Sequence, residues 1–140
     1  GRPGEPSTAI RERVIRAREI QSERFKEIPG IYCNAQMNSR LLNTYARPDD
    51  AGLALLRTAM TRLNLSARAY DRILKVSRTI ADLAGSETIQ TSHIAEAINY
   101  RNLDREIGRD KSPPRYTKIA LRYHIIGTRC KQPYCRSFHL

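Results

Sequence analysis

Apolar residues recur at helical intervals through the first 105 positions of the chain. Residues 7–28 follow the three- and four-residue spacing of one helix face. That face consists of Ile10, Val14, Ala17 and Phe25, with Gln21 interrupting it. Ser7 or Thr8 can cap this helix, and Pro29-Gly30 is a typical helix end. The pattern therefore predicts one long amphipathic helix at the start of the chain.

The next segment is less regular. Residues 31–38 show neither a helical nor a strand period, so we expect irregular structure there. A short helix is predicted over residues 40–46, with Asn38 or Ser39 as its cap. The residues that it would bury are Leu41, Leu42 and Tyr45.

A third helix is predicted near residues 50–63, capped by Asp49. Asn64 follows it and can adopt the left-handed conformation that closes a helix. Its apolar face is Leu53, Leu56, Met60 and Leu63.

The strongest pattern begins at Ser66, which can cap a helix, and ends at Gly85. Its apolar positions alternate four and three residues apart: Ala69, Ile73, Val76, Ile80 and Leu83. A last helix is predicted near residues 92–104, capped by Thr91 or Ser92, and it would bury Ile94, Ala97 and Ile98. Because short links join the later helices, neighbours should pack roughly antiparallel. The fold class predicted is all-α, a small bundle of about four to five helices.

Residues 107–140 differ from this pattern, since Gly108 and Pro113-Pro114 break the helical period. An alternating run in this tail, Ile119, Leu121, Tyr123 and Ile125, is compatible with one strand. A single strand cannot bury itself, so the tail is either disordered, packed on a neighbour or not native to the domain, with the last two favoured. The domain organisation predicted is a connecting helix (1–30), a helical domain (31–106) and a basic tail (107–140).

The net charge is distributed unevenly between the helical part of the chain and the tail. The 140 residues carry 25 Lys and Arg against 14 acids, a net charge of +11 that by itself favours a nucleic acid, phosphate or anionic membrane partner. However, residues 1–106 hold 17 basic and 13 acidic residues, whereas residues 107–140 hold 8 and 1. Most of the excess therefore belongs to the tail.

The sequence argues against several protein classes. The longest uncharged apolar stretch, Ala51 to Leu56, is far short of a membrane span, and residues 1–30 are charged throughout, unlike a secretory signal. Three cysteines are an odd number that fits a reducing cytoplasm better than secretion. The chain begins at Gly1 rather than Met, which is compatible with a piece of a longer protein. Phosphate-loop, dinucleotide and H-E-x-x-H motifs do not occur, so we do not expect a self-contained enzyme.

Arg68 is the most informative candidate, because it falls in the first turn after the Ser66 cap. Backbone N–H groups in a first turn are unpaired and carry partial positive charge, and an arginine there adds a donor fork that suits a phosphate oxygen. Arg72 and Lys75 continue the same face. Physics alone favours the alternative, in which these three side chains form a solvated helix edge.

Two segments, LSARAYDRILKVSRTIADL and HIAEAINYR, carry a family resemblance. They lie in a run over residues 52–105 that resembles the C-terminal helical domain of magnesium-chelatase subunit I-like proteins, and more narrowly of ComM/YifB-type AAA+ ATPases. The upstream segments STAIRERVIRAREIQSERF and IYCNAQMNSR are similar to the same family, which extends the resemblance to about residues 5–106.

The resemblance implies that this chain is the helical lid of an ATPase whose nucleotide-binding core lies upstream. Arg68 matches the sensor-2 arginine that contacts the terminal phosphate of ATP, in its own subunit or a neighbour's, and Arg72 is a second candidate. The Walker A and B motifs have no match here. The resemblance also implies ATP and Mg²⁺ in the full-length protein, with none expected on the isolated fragment. The implied partners are the core and neighbouring subunits of a ring, a hexamer, with DNA as a substrate in ComM-type relatives; metal chelation stays an alternative, and no membrane partner is expected.

Other candidates have weaker support. His124, Cys130, Cys135 and His139 are ligand types of a structural zinc site, but their spacing is loose, so coincidence is favoured over zinc. Cys33 has no nearby activating residue in the sequence and is interpreted as a small buried side chain. His93 is expected to pack or cap. A stand-alone helical DNA-binding module or an oligomerisation domain remain alternatives to the lid.

Overall fold

The structure, a computed structural model, describes residues 7–105 and the side chains of residues 8–99. Within that range it contains five α-helices, one 3₁₀ turn and no strand. The helices are α1 (Ser7–Phe25), α2 (Ser39–Tyr45), α3 (Asp50–Arg62), α4 (Ala67–Leu83) and α5 (Thr91–Arg105), and the 3₁₀ turn is Asn34–Gln36. The predicted all-α class is confirmed. The predicted strand at 119–125 lies outside the described residues.

Side-chain caps start helices α2 and α3. The Asn38 side chain accepts a hydrogen bond from the Leu41 N–H (2.9 Å), which identifies Asn38 rather than Ser39 as the cap of α2. Asp49 accepts from Gly52 N–H (2.7 Å) at the start of α3. Each bond satisfies one of the N–H groups that a helix leaves unpaired at its N-terminus.

Helix α5 begins one residue earlier than predicted. Thr91 lies inside the helix, so neither Thr91 nor Ser92 is its cap. The ring of His93 reaches back instead, and its Nδ1 atom accepts a hydrogen bond from the N–H of Gln90 (3.0 Å). The expectation that His93 packs or caps is therefore confirmed on both counts, since the side chain is also buried.

Helix α1 ends three residues before its predicted end. The N–H of Ile28 donates to the carbonyl of Phe25 (3.0 Å), which is the tighter bonding of a turn. Pro29 accounts for this early end, because a proline disfavours helical backbone in the residue that precedes it. The later ends agree with prediction: Asn64 has a φ of 50° and Gly85 a φ of 70°, both left-handed.

Helix α4 lies at the centre of the bundle, where it contacts α1, α2, α5 and the 3₁₀ turn, while α3 packs against α5. Its predicted apolar face is buried over its whole length, namely Ala69, Ile73, Val76, Ile80 and Leu83. In α2 only Leu42 is fully buried, while Leu41 and Tyr45 are half-buried. Tyr45 meets the buried Phe25 ring edge to face, with centroids 5.7 Å apart.

Close packing explains a glycine in the first turn of α3. A Cβ atom at Gly52 would lie 2.8 Å from Ile94 Cδ1 and 2.9 Å from Pro48 Cβ, both closer than carbon atoms pack. Gly52 therefore lets α3 approach α5 closely. No helix in the described part of the chain is long and apolar enough to cross a membrane.

Candidate functional site

The N-terminal half of α4 carries a row of three cations. Ser66 caps the helix, with its Oγ atom accepting from the N–H of Ala69 at 3.2 Å. Arg68 and Arg72 are exposed and Lys75 is half-buried. Their spacing of four and three residues places them on one face of the helix. We call these three residues the basic stripe.

The electrostatic setting of the basic stripe favours an anion. The first turn of α4 contains no acidic residue, whereas the first turn of α3 contains Asp50. Between residues 51 and 81 the sequence has one acid, Asp71. Arg68 therefore adds its charge to a helix end that is already partly positive, and Asp71 is the one acid in this stretch of the sequence. An arginine fork in this place can bind two phosphate oxygens at once.

The same face of α4 is buried farther along the helix, around the carboxylate of Asp82. Arg24 of α1 donates to both carboxylate oxygens, from Nη1 to Oδ2 at 2.8 Å and from Nη2 to Oδ1 at 2.7 Å. Arg78 adds a bond from Nε to Oδ1 at 3.1 Å. The Asp82 side chain is fully buried, so these bonds compensate a charge that would otherwise be costly in the interior.

Asn34 in the 3₁₀ turn completes this buried cluster. Its Nδ2 atom donates to Asp82 Oδ2 (2.9 Å) and to Thr79 Oγ1 (3.1 Å), while its Oδ1 atom accepts from Arg24 Nη1 (2.8 Å). Its backbone N–H donates to the side chain of Gln21 (3.0 Å). Gln21 therefore does not interrupt a buried face, since it is itself buried and holds the turn.

Arg78 extends the cluster to the loop between α4 and α5. Its Nη1 and Nη2 atoms donate to the carbonyl oxygens of Glu87 (2.9 Å) and Ser86 (2.7 Å). Burial lowers the pKa of the Arg78 guanidinium, and the charge of Asp82 opposes that shift. Arg78 has the role of a structural cation, because every one of these contacts lies inside the protein.

Sequence reasoning missed this cluster. Arg78 and Asp82 lie away from the apolar face of α4, and acids in such positions are mostly expected in water. That expectation is wrong for Asp82, because α1 and the 3₁₀ turn cover this side of the helix. The only sequence signal was the i,i+4 spacing of an arginine and an aspartate, which exposed helix pairs share.

The titratable groups Cys33 and His93 are buried and have no catalytic setting. Burial raises the pKa of the Cys33 thiol, which makes it less reactive. The interpretation of Cys33 as a small buried side chain is confirmed. Burial and then the charge of Arg78 lower the pKa of His93, so its ring is neutral at pH 7 and can accept the bond from Gln90.

The predicted zinc ligands, His124, Cys130, Cys135 and His139, lie outside the described residues. Within the described part of the chain, no three His, Cys, Asp or Glu side chains are grouped so that they could hold a metal ion. The zinc hypothesis therefore stays a prediction. The two predicted phosphate-binding residues, Arg68 and Arg72, lie on one face of α4.

Comparisons with known proteins give a family match and several relatives over most of the chain. The family described as magnesium chelatase, subunit ChlI C-terminal, matches residues 4–101. The Competence protein ComM of Haemophilus influenzae is 46% identical over 105 residues, which cover 75% of this chain and 20% of that protein. The uncharacterized protein YifB of Escherichia coli is 37% identical over 103 residues, covering 74% of this chain and 19% of that protein.

The chain thus spans about a fifth of the length of the curated relatives that it matches. No solved structure is a significant match. The family match includes α1, the central helix α4 with its basic stripe, and most of α5. Because this match covers more than half of the chain, the protein belongs to the magnesium chelatase subunit ChlI C-terminal family.

Proposed function

We propose that this chain is the C-terminal helical lid of a ring-forming AAA+ ATPase of the ComM type, and that Arg68 is its sensor-2 residue. The observation that carries the proposal is the exposed guanidinium of Arg68 in the capped, acid-free first turn of α4. ATP, with its Mg²⁺, is the substrate in this proposal. Arg72, one turn farther along the same face, is the second candidate for a phosphate contact.

The chemistry of phosphoryl transfer explains why a cation at Arg68 would be useful. Negative charge on the γ-phosphate oxygens is stabilised by positive donors that are fixed in place before the reaction. A donor on a separate helical unit also makes the position of that unit depend on the nucleotide. When hydrolysis removes the γ-phosphate, the contact to Arg68 is lost and the lid is free to turn.

The family membership supports a wider role in this proposal. The catalytic core and the neighbouring subunits of a hexameric ring would be the partners of this lid. The most similar relative named above is a competence protein, which supports DNA as the substrate that the ring remodels. The described residues offer one stripe of phosphate contacts, so we expect weak or no ATP binding by the isolated chain. Micromolar affinity in a calorimetric titration would contradict that expectation.

A domain exchange tests the proposal in cells. Residues 4–101 replace the matching segment of Haemophilus influenzae ComM, and the chimera is expressed in a strain that lacks its own copy. We expect the chimera to restore natural transformation and the Arg68→Ala chimera not to restore it. Arg57→Ala is the matched control, because Arg57 is an exposed arginine on α3. Full restoration by the Arg68→Ala chimera would contradict the proposal.

A stand-alone DNA-binding module is the second candidate function, and the basic stripe favours it because three cations on one face can follow a phosphate backbone. The DNA-binding hypothesis predicts that the isolated chain binds DNA with an affinity that falls steeply as the salt concentration rises. Titrations of labelled DNA at several salt concentrations measure that slope. A weak affinity with little slope would favour the lid.

A further inference from the structure

The face of α4 that carries the basic stripe joins two different environments. Arg68 is exposed at its beginning, and Asp82 is fully buried near its end. The two residues are 14 positions apart, which corresponds to about 21 Å along an unbroken helix. A helix of this length behaves as a rod, so a displacement at one end also moves the other end.

The contact at the buried end is directional. Arg24 binds Asp82 through two parallel bonds of 2.7 and 2.8 Å, which is a fork-to-fork pair. Apolar packing between α1 and α4 is non-directional and tolerates small sliding movements. A bidentate pair tolerates them poorly, because sliding breaks both bonds and leaves a buried carboxylate with fewer partners.

Asn34 and Arg78 hold the carboxylate from two further directions. Asn34 donates to Asp82 and accepts from Arg24, so it contacts both members of the pair. Arg78 binds Asp82 and also the carbonyls of the α4–α5 loop. The Asp82 carboxylate is therefore held by α1, the 3₁₀ turn and α4 at once.

We infer that Arg24 and Asp82 form a mechanical junction that makes α1 turn together with α4, so that α1 carries movements of the lid to the rest of the protein. The geometry of the junction stands on the structure alone. The movement that it transmits rests on the proposed function. Arg24 is a positioning residue, since it acts through Asp82 and is not part of the basic stripe.

Spin-label distances in this chain test the junction without ATP. One label pair joins α1 to α5 (Ser22→Cys with Ala95→Cys), and a reference pair joins α3 to α5 (Thr58→Cys with Ala95→Cys), at sites that are all exposed. The three native cysteines are first replaced, by Cys33→Ala, Cys130→Ser and Cys135→Ser. We expect a single narrow distance distribution for both pairs.

The Arg24→Lys variant keeps the charge but replaces the fork by a single point of contact. We expect it to broaden the α1–α5 distribution and to leave the α3–α5 distribution narrow. Arg16→Gln, an exposed arginine of α1, should change neither. An unchanged α1–α5 distribution in Arg24→Lys would overturn the junction, as would equal broadening of both pairs, because that would show general loosening of the bundle.

The ComM chimera tests the transmission. We expect Arg24→Lys to leave KM and kcat for ATP within twofold of the parent chimera and to lower transformation at least tenfold. A merely structural defect would lower hydrolysis and transformation together, and that result would overturn the transmission. If Arg68→Ala leaves hydrolysis intact, the proposed function fails, whereas the spin-label result still decides whether the junction exists.

Discussion

The two halves of one face of α4 use the same kinds of side chain in opposite ways. In the first half, Arg68 and Arg72 are exposed on a helix that Ser66 caps. In the second half, Arg78 is buried and binds Asp82 together with Arg24 of α1. The difference lies in what contacts these side chains: Arg24 of α1 and Asn34 of the 3₁₀ turn bind Asp82, whereas Arg68 and Arg72 are exposed.

The comparison shows how to separate arginines that bind a ligand from arginines that hold a fold. Each guanidinium nitrogen of the buried Arg78 donates a hydrogen bond inside the protein, so this side chain is not placed to bind an external phosphate. An exposed arginine in a first turn without acids contributes little to folding and keeps its donors for a ligand. The two halves should therefore respond differently to substitution.

The largest expected effect is at Asp82. Asp82→Asn removes the negative charge that compensates two buried or part-buried guanidinium groups. Breaking a buried ion pair in this way costs about 3–5 kcal/mol in the free energy of unfolding. Urea denaturation followed by circular dichroism measures the loss.

Asp71→Asn is the matched control, since Asp71 is a half-exposed aspartate of the same helix. We expect its effect to stay within about 0.5 kcal/mol. Equal effects of the two substitutions would remove the distinction between the two halves of the face.

The next effect concerns the cap of α4. Ser66→Ala removes the acceptor of the Ala69 N–H and should lower the free energy of unfolding by about 1 kcal/mol. Ser22→Ala, at an exposed position within α1, should have less effect than this. If Ser66→Ala were neutral in urea denaturation, the N-terminal half of α4 would not depend on its cap for its geometry.

The smallest expected effect is a pH dependence from His93. Because burial lowers the pKa of His93 below its ordinary value of 6.5, the unfolded chain binds a proton more readily than the folded one. The stability that this group supports is fully present above about pH 6.5 and is lost as the pH falls from there to the folded-state pKa.

Urea midpoints across this acidic range check the effect. His93→Gln keeps an acceptor for the Gln90 N–H but does not titrate, so its midpoint should fall less with acidification than that of the unsubstituted chain. Parallel curves for the two proteins would show that His93 does not link protonation to folding.

The helices and the caps of α2, α3 and α4 could be predicted from sequence because they depend on local signals. Apolar spacing located the buried face of α4, and Asn64 and Gly85 marked its neighbouring turns. The Asp82 cluster could not be predicted in this way. Its partner Arg24 is 58 residues away, and the pairing depends on how α1 crosses α4.

In the candidate site, too, features that depend on local sequence could be predicted and features that depend on the folded geometry could not. A first-turn arginine after a serine cap is a local feature, so Arg68 could be selected from sequence and the family resemblance gave it a role. His93 as the acceptor at the start of α5 was expected only in outline, because its ring and the Gln90 N–H meet through the geometry of one turn. Residues 107–140 lie outside the described residues, so the strand and the zinc ligands predicted there stay predictions.

In the proposed function, Arg68 serves ATP hydrolysis and is not needed for folding. The most direct measurement takes the purified ComM chimera and its Arg68→Ala variant, and determines kcat at saturating ATP together with the urea midpoint. We expect kcat to fall about 100-fold, as for the loss of one preorganised charge donor, and the midpoint to stay unchanged. Hydrolysis at the parental rate in the variant would contradict it, as would a loss of kcat that accompanies unfolding.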